Sequence, residues 1–172
     1  MSRLDFHIEQ KIAQRDAIDR AAARLAGLDG VVVEFGLGHG RSYSHLCERF
    51  PGREVFCFDR EEATPPGWAP PADRLYLGEL ADVLRDPAVH ARFSGRVILV
   101  HLDLARGTAA DTRVHQLTLA ATHGWLRPGA WVLSDRPLRL DPAWGLEPVD
   151  PAGSSPPRFY SYARRAGYQA PC

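Results

Sequence analysis

The 172-residue sequence is poor in cysteine and methionine and has no long apolar run. Lys11 is the only lysine among 21 basic residues, and these balance 21 acidic residues. Such a balance provides no electrostatic basis for a nucleic-acid or membrane-surface partner. No apolar stretch approaches the roughly 20 residues of a membrane span, and the charged N-terminal residues predict no signal peptide. We therefore expect neither nucleic acid nor membrane as a partner.

The three cysteines, Cys47, Cys57 and Cys172, are widely spaced and form no metal-binding pattern. An odd number of isolated cysteines predicts free thiols and a reducing, cytoplasmic location. The length fits a single domain with a real core. We expect an N-terminal helix within 1–30, a core over 31–135, and an irregular part over 136–172 with a last strand. The sequence does not predict an oligomeric state.

Apolar β-branched runs alternate along the chain with segments of helical periodicity. The predicted strands cover 31–35, 54–58, 74–77, 96–103, 130–134 and 159–163, and the predicted helices cover 4–26, 41–50, 80–93 and 108–124. We expect 126–129 to be a turn and the last strand to lie near an edge. The alternation predicts an α/β fold, a doubly wound and mostly parallel sheet with helices on both faces.

The turn after the first predicted strand is glycine-rich and marks the expected ligand site, because doubly wound sheets bind ligands at the carboxyl ends of their strands. Gly36, Gly38 and Gly40 allow the backbone to bend and to approach a ligand without Cβ interference. The next helix would present free N–H groups near Ser42. Arg41 occupies the place of the third glycine in dinucleotide sites, so a nicotinamide-dependent oxidoreductase is an alternative with weaker support.

At this turn the chain resembles the class I S-adenosylmethionine-dependent methyltransferases. Residues 34–40 match their acid-x-G-x-G-x-G motif, and Asp59 follows the second predicted strand. Gly78-Glu79 resembles the family's Gly-Asp after the third strand, and residues 126–130 resemble its L-x-P-G-G turn. The resemblance implies a Rossmann-like fold, an S-adenosyl-L-methionine cofactor and methyl transfer to a small-molecule acceptor. A cofactor-binding protein without turnover is a further alternative.

The resemblance also implies roles for individual residues. In the family the acid after the second strand binds the ribose hydroxyls, and the acid after the third strand approaches the adenine. Asp59 and Glu79 take these positions here, and a carboxylate suits the first role because it accepts bonds from two neighbouring hydroxyls. The implied cofactor-binding residues are Glu34, Gly36, Leu37, Gly38, Gly40, Ser42, Asp59, Arg60, Glu79 and Leu80.

His101 and Asp103 end the fourth predicted strand and would face the methyl group and the acceptor, which makes them the catalytic candidates. Asp103 and the later pair Ser134-Asp135 also resemble the metal-dependent catechol-type O-methyltransferases, which carry Asp-Asn after the fifth strand. Arg136 stands here in place of that Asn. A fixed cation in place of a neutral oxygen ligand repels a metal ion, so we predict no metal site.

Overall fold

This computed structural model describes residues 2–104, 110–149 and 158–168. The strands are β1 Val31–Phe35, β2 Val55–Asp59, β3 Leu75–Leu77, β4 Val97–Leu102, β5 Leu126–Ser134, β6 Leu146–Val149 and β7 Tyr160–Arg164. The helices are α1 Arg3–Leu25, α2 Arg41–Arg49, α3 Leu80–Val83, α4 Pro87–Phe93 and α5 Ala110–Thr122. The start of the predicted helix 108–124 and the residue Cys172 lie outside the described residues.

The strands form one sheet in the order β3-β2-β1-β4-β5-β7-β6. Strands β1 to β5 pair in parallel, whereas β7 pairs antiparallel with both β5 and β6. Strands β2 and β3 lie on one side of β1, and the chain then crosses to β4 on the other side of β1. The strand order therefore reverses between β1 and β4. This arrangement confirms the predicted mostly parallel sheet and places the reversal beside the glycine-rich turn.

Helices cover both faces of the sheet, as predicted. On one face α1 and α2 pack on the sheet through a cluster of buried side chains, among them Ala17, Ile18, Ala21, Leu25, Leu46, Val32 and Leu99. On the other face α4, α5 and Trp125 pack on β1, β2, β4 and β5, among them Val89, Phe93, Leu119, Phe35, Phe58 and Val100. None of the described helices combines the length and the apolar character that a bilayer crossing requires.

Two predicted elements differ in the structure, and one strand was not predicted. The helix predicted over 80–93 is two helices, because Asp86 caps a new helix that begins at Pro87. The turn predicted over 126–129 belongs to β5. The C-terminal part contains the unpredicted strand Leu146–Val149, which forms the edge, so β7 lies one strand inside it. This strand carries a proline, which an edge position tolerates and which weakens the strand pattern.

The two halves of α1 differ in burial. Ala17 and Ile18 are buried against the sheet, whereas Leu4, Ile8 and Ile12 are exposed. Gln14 contacts the carboxyl end of β4, while the Leu25 end of the helix lies near the amino end of β2. The turns before Gln14 therefore extend past the carboxyl end of β4, and their apolar side chains are exposed.

Candidate functional site

The glycine-rich turn joins β1 to α2 and lies directly against the end of β4. Gly36 has φ +94°, and a Cβ at this position would lie 2.2 Å from the carbonyl oxygen of Asp103. Gly40 has φ +75° and caps α2, whereas a Cβ built on Gly38 would have no neighbour within 4 Å among the described residues. Only glycine combines this positive φ with so close an approach. The turn and Asp103 therefore form one continuous surface.

Asp59 ends β2, and its carboxylate lies against this turn. Its Oδ2 accepts hydrogen bonds from the backbone N–H groups of Leu37, at 2.8 Å, and Gly38, at 2.9 Å. Its Oδ1 accepts one from the Arg60 N–H at 2.6 Å. The turn and the carboxylate therefore hold each other in place, and Oδ1 retains a lone pair for a further donor.

The remaining predicted cofactor-binding residues are spread around this edge. Glu79 precedes α3, and its exposed carboxylate lies 3.8 Å from the Arg60 guanidinium. Leu80 is partly buried against the core beneath it. Ser42 is half-buried in the first turn of α2. The structure thus brings Asp59, Arg60 and Glu79 together at the neighbouring carboxyl ends of β2 and β3.

A segment after β2 lies across the glycine-rich turn. The His39 ring nitrogen Nδ1 lies 2.9 Å from the backbone oxygen of Ala63. A Cβ on Gly40 would approach the Thr64 methyl group to 3.1 Å. Trp68, in the same proline-rich segment, exposes 56% of its surface. This segment therefore lies beside the turn, and the exposed Trp68 side chain lies at its edge.

Glu34 and His101 form a fully buried pair between β1 and β4. The His101 Nδ1 lies 3.1 Å from the Glu34 Oε1, and Phe159 stacks on the imidazole with ring centroids 5.7 Å apart. The Cys57 thiol donates to the Glu34 Oε2 over 3.5 Å. Burial and the neighbouring Glu34 charge raise the pKa of the Cys57 thiol, which keeps its proton available for this bond. Glu34 therefore faces the interior rather than the surface of the turn.

Asp103, like Asp59, combines a fixed position with access to solvent. Its Oδ2 accepts hydrogen bonds from the Gln14 amide, at 2.8 Å, and the Lys11 ammonium, at 3.3 Å, and its side chain is 22% exposed. Burial raises the pKa of Asp103, but the charge of the nearby Lys11 ammonium and the hydrogen bonds from Gln14 and Lys11 act in the opposite direction, and the pKa lies below its usual value. Asp103 is therefore ionised at neutral pH.

Two residues of α1, Lys11 and Gln14, reach the site although the sequence analysis did not select them. Gln14 is 4% exposed and lies 3.1 Å from the second ring nitrogen of His101, Nε2. A signal was present in the sequence. Gln14 occupies the stripe that continues through Ala17, Ile18 and Ala21, and a polar residue on a buried stripe needs a polar partner.

Asp135, the second acid of the resemblance to metal-dependent enzymes, is directed inward. Its Oδ1 lies 2.6 Å from the His115 Nε2, and its side chain is 2% exposed. The Arg136 Nε lies 3.9 Å from the other oxygen. Both oxygens of Asp135 thus face groups of the protein.

Comparisons with known proteins agree with this geometry. A family model described as S-adenosyl-L-methionine methyltransferase matches residues 1–164. A crystal structure of an S-adenosyl-L-methionine methyl transferase from Silicibacter pomeroyi is 35% identical, with a TM-score of 0.86 over 95% of this chain and 99% of that chain. No curated protein sequence matches the chain.

More distant structures show the same fold. Human methyltransferase-like protein 13, solved in complex with S-adenosylhomocysteine, aligns with a TM-score of 0.56 at 14% identity. The alignment covers 95% of this chain and 85% of that chain. At this identity the likeness concerns the fold alone.

Proposed function

The chain belongs to the S-adenosyl-L-methionine methyltransferase family, and from this premise we propose that it methylates a small molecule bound beside Asp103. The family assignment makes the protein a methyltransferase that uses S-adenosyl-L-methionine. It leaves both alternatives, the nicotinamide-dependent oxidoreductase and the binding protein without turnover, without support. The acceptor and the roles of individual residues are the proposal.

The glycine-rich turn and its acidic neighbours fit the cofactor. The open side of Gly38 leaves room for a ligand against bare backbone, and Asp59 offers a lone pair of Oδ1 to a sugar hydroxyl. Glu79 stands at the next strand end, where the adenine would lie, with Leu80 and Arg60 beside it. When bound, the cofactor supplies a methyl group that its sulfonium has already activated.

Asp103 is the residue that would contact the acceptor. It adjoins Gly36, and its Oδ2 is held while its side chain stays partly exposed. An ionised carboxylate in this place accepts a hydrogen bond from an O–H or N–H group and so helps to align it with the methyl group. The complete alignment of two reactants can contribute about 7–11 kcal/mol to a transfer reaction. The balanced charge of the chain supports a small acceptor rather than a nucleic acid.

The predicted catalytic role of His101 stays a prediction. Its ring is buried, and both ring nitrogens already have partners. Glu34 shares that interior position and therefore would support the turn through β1 and β4. A direct contact between either side chain and a ligand would require these bonds to break, so we propose that Asp103 contacts the acceptor and His101 acts behind it.

The contact between Asp59 and the turn is the observation that carries the proposal, and calorimetric titration with S-adenosylhomocysteine tests it. Asp59→Ala removes charge-assisted hydrogen bonds worth about 1.5–3 kcal/mol, so we expect binding to weaken about 10- to 150-fold. Asp82→Ala, which removes an exposed carboxylate paired with Arg85, is the control and should bind as the wild type does. Absence of wild-type binding, or an unchanged affinity in Asp59→Ala, would contradict the proposal.

The class of acceptor is tested by the release of S-adenosylhomocysteine from S-adenosyl-L-methionine. We expect release with a panel of small phenols and amines, and an Asp103→Asn protein should lose most of this turnover while it keeps cofactor binding. Turnover with total RNA and with none of the small compounds would contradict the small-molecule acceptor. The cytoplasmic location, predicted from cysteine usage, is tested by cell fractionation.

A further inference from the structure

We infer that Gln14 is a positioning residue of the proposed methyl-transfer site beside Asp103. Through the Gln14 side chain, α1 determines both the direction of the Asp103 carboxylate and the tautomer of His101. The inference rests on the proposed function, since it takes Asp103 as the group that faces the acceptor. It assigns a role at the site to α1, which the sequence predicted only as an N-terminal helix.

The orientation of the Gln14 amide is determined by its two charged neighbours. The Lys11 ammonium lies 2.8 Å from Oε1, and an ammonium can only donate, so the atom facing it must be the amide oxygen. The Asp103 Oδ2 lies 2.8 Å from Nε2, and an ionised carboxylate can only accept. A rotated amide would set NH₂ against the ammonium and oxygen against the carboxylate, and would lose both bonds.

The amide in turn determines where His101 carries its proton. The Gln14 Nε2 has a second hydrogen, which points to the His101 Nε2 at 3.1 Å. That ring nitrogen must therefore accept, so the neutral imidazole carries its proton on Nδ1. Nδ1 donates it to the Glu34 Oε1 at 3.1 Å. Glu34 accepts from both His101 and Cys57, which completes a set of bonds in which each donor has an acceptor.

The direction of Asp103 follows from the same bonds. Gln14 and Lys11 both hold Oδ2, and within the described ranges no protein donor lies within hydrogen-bond distance of Oδ1. The carboxylate is thus anchored by one oxygen and presents the other. Gln14 is buried and Lys11 is more than half exposed, so the buried amide is the stronger restraint. Without Gln14, the longer ion pair to Lys11 is the restraint on Asp103 that remains among the described residues.

Nitrogen-15 NMR of histidine-labelled protein tests the inference, with the His101 signal assigned by its loss in His101→Gln. In the wild type we expect protonated Nδ1 and unprotonated Nε2. In Gln14→Glu, which keeps the size and the acceptor for Lys11 but removes both donors, we expect a proton on Nε2, which then donates to the new carboxylate. Gln14→Leu should give a mixture of tautomers. Gln10→Leu, one turn earlier on α1, should leave the signal unchanged.

A wild-type His101 with its proton on Nε2 would overturn the inference, and this measurement requires no Gln14 variant, only a folded His101→Gln protein to assign the signal. Unchanged His101 shifts in folded Gln14→Glu and Gln14→Leu would overturn it as well. Calorimetry with S-adenosylhomocysteine separates the two proposals. We expect Gln14→Glu to bind S-adenosylhomocysteine with an affinity within about twofold of that of the wild type. If the wild type does not bind S-adenosylhomocysteine, this result counts against the proposed function alone. A loss of binding confined to the Gln14 variants would overturn the assignment of Gln14 to Asp103 and His101.

Discussion

Gly36→Ala is a substitution for which the structure predicts a large effect from a single methyl group. At φ +94° a side chain costs about 1–2 kcal/mol in backbone strain. The new Cβ would also lie 2.2 Å from the Asp103 carbonyl oxygen and 2.9 Å from its carbonyl carbon. Both contacts are to backbone atoms, which cannot rotate away as a side chain can. To relieve the clash, β1 and β4 must move apart, which costs about 1–3 kcal/mol of stability.

The expected loss of stability is therefore about 2–5 kcal/mol, out of a total that is typically about 5–15 kcal/mol. Gly38→Ala is the matched control, because its φ is +50° and nothing lies within 4 Å of the added Cβ. Gly38→Ala should lower the free energy of unfolding only by the backbone strain, which is about 1–2 kcal/mol. The midpoint of thermal unfolding should then be roughly 2–12 °C lower for Gly36→Ala than for Gly38→Ala.

Chemical and thermal unfolding followed by circular dichroism measure this difference, and both variants can be titrated with S-adenosylhomocysteine. We also expect weaker binding in Gly36→Ala, because a displaced turn no longer meets Asp59 and Asp103 together. Equal stability of the two variants would refute the close approach of the turn to β4, and with it the continuous surface from the glycine-rich turn to Asp103.

Two further predictions concern the ionisation of Asp103 and the hydrophobic core around Trp125. The folded-state pKa of Asp103 is lowered, so its ionisation stabilises the fold above about pH 4 and this contribution is lost as the pH falls through the folded pKa. Asp103→Asn should therefore be less stable than the wild type at neutral pH, and urea unfolding should show that this difference in stability shrinks below pH 4. Trp125 is 1% exposed and stacks among Phe35, Phe58 and Phe93, so Trp125→Ala should cost about 3–5 kcal/mol. Trp68→Ala removes a largely exposed ring and should cost less than about 1 kcal/mol, and equal losses in the two tryptophan variants would contradict the described core.

The glycine-rich turn and its contact with Asp59 could be predicted from the sequence because the sequence patterns that indicate them are local. A β-branched run followed by alternating glycines determines a strand and a tight turn within ten residues, and Asp59 ends the next such run. Parallel strands bring their carboxyl ends to one edge, so the meeting of Asp59 with the turn follows from the alternation of strands and helices. The C-terminal hairpin was less predictable, because prolines interrupt its strand pattern and the pairing of β6 with β7 is decided between strands.

The sequence by itself determined the α/β class, the mostly parallel sheet and the position of the glycine-rich turn, since each depends on spacing over a few residues. Only the tertiary structure decided which groups meet behind Asp103. Gln14 lies 87 positions from His101 and 89 from Asp103 along the chain, and Lys11 lies 92 from Asp103. Periodicity predicts which side of α1 is buried, but the hydrogen-bond partners of a buried amide depend on how that helix crosses the sheet. The same packing turned Glu34 and His101 to the interior, whereas their positions at strand ends were equally compatible with a solvent-facing site.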